Sequence, residues 1–292
     1  MTDVRVARLR AYRQAHELGW MAKAGFAAAF TGLTALLAQV SLPLPWTPVP
    51  FTFQVLGVAL AGVMLGGRWA MVSMGLYLAA GLAGLHVFAP SADAFNPDAL
   101  WHADRWRVLV PDVVRQTGYT AGYLVGFFAA AAFVGAYMRR RQRGLDARWT
   151  RAVGFGLLVL LLGVVGSTFF LAGGGSFAGA GSGDAYDATL DYAWLFGGLF
   201  LVCAPVVGWL LSRRAAGSEA LNLYLVLLGA VAIIHLCGVP VLKLTLGWSW
   251  SKAFALGSTV FLPFDVLKAG LAVLASVSFL PSGRELATEE PA

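Results

Sequence analysis

The sequence predicts an all-α integral membrane protein that folds as one bundle of about eight transmembrane helices. Of the 292 residues, 59% are hydrophobic and 12% are charged, whereas a soluble globular domain is about one quarter charged. Charged residues are also missing from long stretches, and a helix that crosses a bilayer needs about 20 mostly apolar residues in succession. These observations indicate that residues 1–292 form a single multi-pass membrane domain.

The charge-free stretches give the helix positions. Six of them lie between charged residues, and a seventh apolar stretch, 253–283, contains two charges; the six are 24–67, 69–92, 116–138, 152–183, 192–212 and 220–242. The first is too long for one crossing and holds four prolines between 43 and 50, which break helices and favour extended chain. The predicted spans are therefore roughly 22–41, 52–67, 69–87, 118–138, 152–172, 192–212, 221–243 and 258–280.

The distribution of positive charge predicts the orientation. With the N-terminus inside, the inner segments hold fifteen Lys and Arg residues and the outer segments hold five, which are Arg105, Arg107, Arg115, Lys243 and Lys252. Cytoplasmic loops collect Lys and Arg, so we expect both ends in the cytoplasm and the chain in the plasma or inner membrane. The net charge of +6 then reflects helix ends that meet anionic lipid and gives no reason to expect nucleic acid as a partner.

Cysteine usage indicates neither a disulfide nor a metal site. Cys203 and Cys237 lie in separate apolar stretches without paired spacing, which is typical of packing residues. We expect no cofactor and no bound metal.

Two charges in the last predicted helix are the strongest functional signal. Asp265 and Lys268 lie three residues apart and so share one helical face. Ionisable residues within a membrane-spanning helix usually face the bundle interior or a wet cavity and mark a substrate path. The alternative is structural: Asp265 follows Pro263, suits the first turn of a helix, and has Lys268 as its neutralising partner.

Two further segments have the composition of a small-molecule pocket. The loop between the first two helices carries no charge, and its Trp46, Thr52 and Gln54 offer flat apolar surface and hydrogen-bonding groups. An interfacial aromatic anchor is the alternative for this loop. The glycine-rich segments 81–88 and 118–127 flank a long outer loop and add three candidate pocket residues, Phe88, Thr120 and Tyr123.

The first helix carries small residues every four positions in two lines. Ala24, Ala28 and Gly32 form one line, and Ala27, Thr31 and Ala35 form the other. Small residues allow another helix to approach closely in lipid. Contact within the bundle and docking of a separate membrane partner both remain open.

Together these segments resemble the BioY family, the biotin-specific substrate-binding components of energy-coupling factor (ECF) transporters. The family pattern A-Q-x-S-x-P-L, V-P-x-T-x-Q and L-A-G-x-x-L-G is present in order at 38–44, 49–54 and 60–66. The family's G-x-x-G-x-P-V-F, G-P-T-G-G-Y-L-x-G-F and F-x-P-G-D-x-x-K are present with departures at His86, Tyr119, Ala121 and Phe264.

The resemblance implies a six-helix core, capture of biotin from outside and delivery inward. It implies that Asp265 and Lys268 contact biotin, and leaves Asn96 and Arg115 of the long outer loop as candidates. The first-helix small residues would dock a transmembrane coupling protein that works with cytoplasmic ATPases. The segment 146–220 then looks like an insertion with two crossings, between the first four helices (22–138) and the last two (221–280).

Two other functions compete with this interpretation. One is a secondary carrier of another small carboxylate in which Asp265 serves proton coupling. The other is an intramembrane hydrolase built on His235 with Ser167 or Ser258, although the sequence shows no G-x-S-x-G elbow and no acid placed to orient the imidazole. A hydrogen-bonded packing residue is the simpler interpretation of His235. The chain has no G-x-x-x-x-G-K-[ST] phosphate loop, so it is expected to be neither an ATPase of that kind nor an enzyme.

Overall fold

A computed structural model of the chain describes residues 19–44, 47–89, 120–143, 148–171, 193–213 and 217–279. Eight helices of twelve or more residues lie at the eight predicted positions in these ranges: α1 (Trp20–Gln39), α2 (Gln54–Leu65), α3 (Gly67–Leu82), α4 (Ala121–Gln142), α5 (Arg148–Leu171), α6 (Ala193–Ser212), α7 (Gly217–Leu246) and α9 (Leu262–Phe279). A short helix, α8 (Trp250–Phe254), and a π-helical turn (Ala255–Thr259) precede α9. The predicted all-α fold is confirmed.

Membrane crossing is supported by helix length and composition. Within the described residues, six segments are long and apolar enough to span a bilayer: Trp20–Gln39, Ala121–Arg141, Arg148–Gly166, Leu195–Ser212, Ser218–Leu246 and Trp250–Val277. The protein is therefore a multi-pass membrane protein. With twelve residues, α2 rises only about 18 Å, less than the roughly 30 Å hydrocarbon core, so eight full crossings and the predicted orientation stay predictions.

The proline-rich connection after α1 forms a short antiparallel hairpin. Strand β1 (Ser41–Leu44) pairs with β2 (Thr47–Thr52), with Ser41 opposite Thr52 and Leu42 opposite Phe51. Prolines favour extended backbone and cannot continue a helix, which accounts for the hairpin. It returns the chain towards the bundle, where the Phe53 backbone N–H donates to the Leu37 carbonyl and α2 begins.

The third helix ends earlier than predicted. The span 69–87 was expected, but α3 stops at Leu82 because Gly84 adopts a positive φ of 90°. The backbone N–H of Leu85 then donates to the Ala80 carbonyl, the six-to-one bond of a glycine-terminated helix. This turn folds Phe88 back against α3, where its ring meets Tyr77 edge-on at 5.2 Å.

The centre of the bundle is the contact between α4 and α7, the most extensive helix pair in the described structure. Glycine makes the close approach possible: a Cβ on Gly126 would lie 2.8 Å from the Ile234 Cα, and one on Gly122 would meet the Cys237 carbonyl. Such distances exclude any larger side chain without movement of the backbone. The close packing brings Tyr123 of α4 beside His235 of α7, with ring centroids 6.0 Å apart.

Helices α5 and α6 lie at the periphery. Helix α5 packs mainly on α7, and α6 packs mainly on α9. Their outer faces expose large apolar side chains such as Phe155, Leu199 and Val202, as expected for surfaces that meet lipid. The pair adds a layer outside the central helices.

Candidate functional site

A pocket of about 720 Å³, counted to its open mouth, lies between the hairpin and the central helices. The 720 Å³ includes space at the mouth that is open to solvent. Its walls come from the hairpin, α2, the turn after α3, α4, α7 and α9; the lining residues are Val49, Pro50, Thr52, Gln54, Val55, Phe88, Ala89, Thr120, Tyr123, Leu124, Phe127, Ile234, His235, Phe261, Asp265 and Lys268. The wall is mostly apolar, with a few polar groups converging on it.

One side of the pocket carries a buried charge cluster. Lys268 Nζ lies 2.8 Å from Asp265 Oδ1, and His235 Nε2 lies 2.9 Å from Asp265 Oδ2. All three residues are at most 3% exposed. Both carboxylate oxygens are therefore engaged, and the acid links a cation on its own helix to an imidazole on α7.

The start of α9 explains where the acid sits. Pro263 occupies the second position of the helix, where a missing N–H is harmless, and Asp265 lies in the first turn, where the helix dipole favours negative charge. The structural interpretation of this pair is thus compatible with the geometry. It does not explain why both groups line a pocket.

Aromatic rings of the hairpin and of α9 cover the lysine. Lys268 Nζ lies 4.2 Å from the ring centroid of Phe51 and 6.0 Å from that of Phe53. Phe51 also meets Phe264 edge-on, with centroids 5.1 Å apart. The ring faces attract the ammonium group and close the cluster from the hairpin side.

A chain of hydrogen bonds forms a second polar region. The Thr52 hydroxyl donates to Gln54 Oε1 over 2.9 Å, and Gln54 Nε2 donates to the Tyr77 hydroxyl. Tyr77 in turn donates to the Val87 carbonyl over 3.1 Å. The chain ties the hairpin, α2 and α3 to the turn that carries Phe88, so these pocket walls are fixed relative to one another.

Side chains from two elements also hold the π-helical turn. The Tyr123 hydroxyl donates to the Gly257 carbonyl over 2.6 Å, and the Thr47 hydroxyl donates to the Leu256 carbonyl over 2.7 Å. A π-helical turn interrupts the regular bonding of the backbone, so external donors stabilise it there. The turn sets the position at which α9 begins.

Seven of the ten predicted binding residues line this one pocket: Thr52, Gln54, Phe88, Thr120, Tyr123, Asp265 and Lys268. The other three, Trp46, Asn96 and Arg115, lie outside the described residues. Their participation in cargo binding stays a prediction, as it does for the seven.

Two polar residues of this region were not assigned to the site from sequence: His235, which lines the pocket, and Tyr77, which is bonded to Gln54 and does not line it. His235 was considered only as a packing residue or a hydrolase base, with no acid placed to orient it. That expectation is corrected by the structure, because Asp265 orients the imidazole directly. An ionisable residue inside a membrane span is the signal that pointed to it, whereas nothing in sequence alone joins Tyr77 to Gln54.

The described residues do not complete a hydrolase triad. The second imidazole nitrogen, His235 Nδ1, has no hydrogen-bond partner among them, and neither does the buried Ser258 hydroxyl. The two groups are therefore not bonded to each other. The side chain of Ser167 lies outside the described residues.

The two lines of small residues on α1 face different surroundings. Ala27 is fully buried and Thr31 donates to the Ser73 carbonyl of α3 over 2.8 Å, so the line Ala27, Thr31 and Ala35 packs within the bundle. In the other line Ala28 and Gly32 are exposed and Ala24 is half-buried. Docking of a separate partner, if it uses α1, rests on this outward line alone.

The segment predicted as an insertion contributes no described side chain to the pocket. All lining residues lie before 128 or after 233, outside the segment 146–220. The described parts of α5 and α6 surround the helices that carry the site without forming its wall. The insertion itself stays a prediction.

Fold and site together define a multi-pass helical membrane protein with a mostly apolar pocket beside a buried charge cluster. The sequence profile of the BioY family matches residues 11–97 and 168–284. The chain therefore belongs to the BioY family. The unmatched stretch, 98–167, does not coincide with the predicted insertion at 146–220.

Curated relatives give the same family. The chain is 35% identical over 133 residues to the "Probable biotin transporter BioY" of Lysinibacillus sphaericus, covering 46% of this chain and 57% of the relative. It is 32% identical over 142 residues to the "Biotin transporter BioY" of Thermotoga maritima, covering 49% of this chain and 72% of the relative. The match thus spans little more than half the length of the first of these relatives.

One solved structure is also similar. It is the crystal structure of the S-component for biotin from an ECF-type ABC transporter, with a TM-score of 0.47 and 17% identity over 92% of this chain and 93% of that chain.

Proposed function

We propose that the protein is the substrate-binding component of a biotin uptake transporter, which captures biotin from outside the cell and passes it inward. The observation that carries the proposal is the Asp265–Lys268 pair, which is buried yet lines a mostly apolar pocket. Family membership and the names of the relatives are the reason for proposing biotin as the cargo.

The chemistry of the pocket suits biotin. Lys268 has three N–H donors, of which Asp265 uses one, so the ammonium group retains capacity for the carboxylate of the cargo. Thr52, Gln54 and Thr120 offer hydroxyl and amide groups for the ureido ring, which has N–H donors and a carbonyl. Phe88 and Phe127 supply apolar wall for the rest of the molecule.

Energy for transport comes from partner proteins in this proposal. The outward line of small residues on α1, Ala24, Ala28 and Gly32, is the surface that a transmembrane coupling protein of an ECF module would contact. Cytoplasmic ATPase subunits complete that module. The protein itself performs no chemical reaction.

Equilibrium dialysis of the purified protein with radiolabelled biotin tests the proposal. Saturable binding that excess unlabelled biotin displaces, and that the double substitution Asp265→Asn with Lys268→Met removes, supports it. Absence of saturable biotin binding by the folded wild-type protein contradicts it. Saturable binding of another small carboxylate in place of biotin would favour the second candidate, a proton-coupled carrier built on Asp265.

A further inference from the structure

We infer that His235 is a further residue of the binding site, and that its Nδ1 takes up a proton when an anionic cargo enters the pocket. The inference rests on the proposed function. It concerns a residue that no sequence motif of the site includes.

The hydrogen bond to Asp265 fixes the tautomer of the imidazole. A carboxylate only accepts hydrogen bonds, so Nε2 of His235 carries the hydrogen that it donates to Asp265 Oδ2 over 2.9 Å. In the neutral ring Nδ1 then has a lone pair and no hydrogen. That atom is buried and has no partner among the described residues, although the residue lines the pocket.

A buried polar atom without a partner is uncommon and costly. Nδ1 has two ways to gain a partner: it accepts a hydrogen bond from the cargo, or it takes a proton and donates the new N–H to the cargo carboxylate. The charge of the pocket decides between them.

The described lining residues carry one anion, Asp265, and one cation, Lys268. From α4 the imidazole meets Tyr123, whose hydroxyl donates to the Gly257 carbonyl, while the hairpin and α2 contribute only the uncharged Thr52 and Gln54. No other described element adds a charged side chain to the lining. With a neutral imidazole, the empty cluster has no net charge.

Entry of a carboxylate would give this buried cluster a net charge of −1. An uncompensated buried charge is expensive, and a proton on His235 removes it. The anion stabilises the imidazolium, and by linkage the proton stabilises the bound anion to the same extent. Binding of the anionic form is then stronger at low pH and weakens as pH rises.

Isothermal titration calorimetry with biotin tests this directly on the wild-type protein. Titrations in phosphate and in Tris at one pH give the number of protons taken up from the difference in apparent enthalpy. We expect about one proton taken up per biotin, and a Kd that rises by up to about tenfold per pH unit where one proton is taken up. The titrations are made well above pH 4, where ordinary carboxylic acids titrate, so that the cargo carboxylate stays ionised.

Two comparisons locate the proton. Biotin amide, which is uncharged where biotin carries its carboxylate, is expected to bind without proton uptake. His235→Gln keeps an N–H donor for Asp265 but does not titrate, so biotin binding to this variant should neither take up a proton nor depend on pH. The matched control His86→Gln removes an exposed histidine outside the pocket lining and should behave as wild type.

Biotin binding to wild type without proton uptake overturns the inference and leaves the proposed function standing. Proton uptake that persists with biotin amide or in His235→Gln also overturns it. The amide comparison needs no variant, so it decides the question even where His235→Gln fails to fold. If biotin does not bind to wild type at any pH, the proposed function fails and this inference falls with it.

Discussion

Asp265 and Lys268 form a pair that folding alone does not account for. Burying two charges is costly, and the attraction between them often only offsets that cost, so replacing a buried pair by apolar residues is frequently neutral for stability. Here both groups also line the pocket, and Asp265 is hydrogen-bonded to a third polar side chain, His235. A polar cargo gives that arrangement a use.

Replacing Lys268 by Met should weaken biotin binding by about tenfold to hundredfold, because a hydrogen bond to a charged group contributes about 1.5–3 kcal/mol. Equilibrium dialysis measures the change. Lys243→Met is the matched control, since Lys243 lies near the end of α7 and does not line the pocket. Equal affinity of Lys268→Met and wild type would show that the amine does not contact the cargo.

The same pair predicts an unusual pattern of stability. Lys268→Met alone leaves the Asp265 carboxylate buried without its cation and should cost about 3–5 kcal/mol. Adding Asp265→Asn removes the uncompensated charge and should restore part of the loss, so the double variant is expected to be more stable than the single one. Thermal unfolding in detergent, without biotin, compares them. A double variant less stable than Lys268→Met would mean that the charge is not buried.

Sequence predicted individual site residues where they interrupt an apolar pattern. Asp265 and Lys268 are the two charges in a stretch that otherwise has none, so their inward position followed from the cost of exposing charge to lipid. The contact of Asp265 with His235 was not predictable, because it joins residues thirty positions apart on helices whose relative rotation depends on packing. The link from Gln54 to Tyr77 was hidden for the same reason.

At the scale of elements, the hairpin acts as the cover of the charged side of the pocket. Its second strand carries Phe51 over the lysine and leads into Thr52 and Gln54 of the polar chain. The prolines of this segment predicted extended backbone correctly. The pairing of Leu42 with Phe51, and hence the position of that ring over Lys268, depends on a register that the sequence does not specify.

Replacing Phe51 by Ala should weaken biotin binding by about twofold to thirtyfold. A cation held over an aromatic face gains about 0.5–2 kcal/mol, and without the ring the lysine is less firmly placed. Phe155→Ala, at an exposed position of α5, serves as the control. If both variants bind biotin as tightly as wild type, the hairpin does not organise the site.

At the scale of the whole molecule, the bundle has a central part that holds the pocket and an outer layer of α5 and α6. Alternation of apolar stretches and charged loops predicted the number and position of the helices. Charge in lipid is costly, so charged residues are rare in every membrane-spanning helix and collect in the loops between them. The early end of α3 and the π-helical turn before α9 were missed. The end of α3 depends on the backbone geometry of Gly84, and the π-helical turn depends on side-chain donors from distant elements.

The outward face of α1 leads to a prediction about assembly. Leucine at Ala28 and Gly32 should abolish copurification with a coexpressed ECF coupling protein, because bulky side chains prevent close helix approach, and should leave biotin binding unchanged. Gly156→Leu is the control, since a Cβ there also meets no neighbour within 4 Å. Intact copurification of the Ala28 and Gly32 variant would place the partner elsewhere.

The most direct test of the account is an experimental structure of the protein with biotin bound. We expect biotin between the hairpin, α4, α7 and α9, with its carboxylate about 3 Å from Lys268 Nζ. Biotin bound at another site, or in this pocket with its carboxylate directed away from Lys268, would contradict the account.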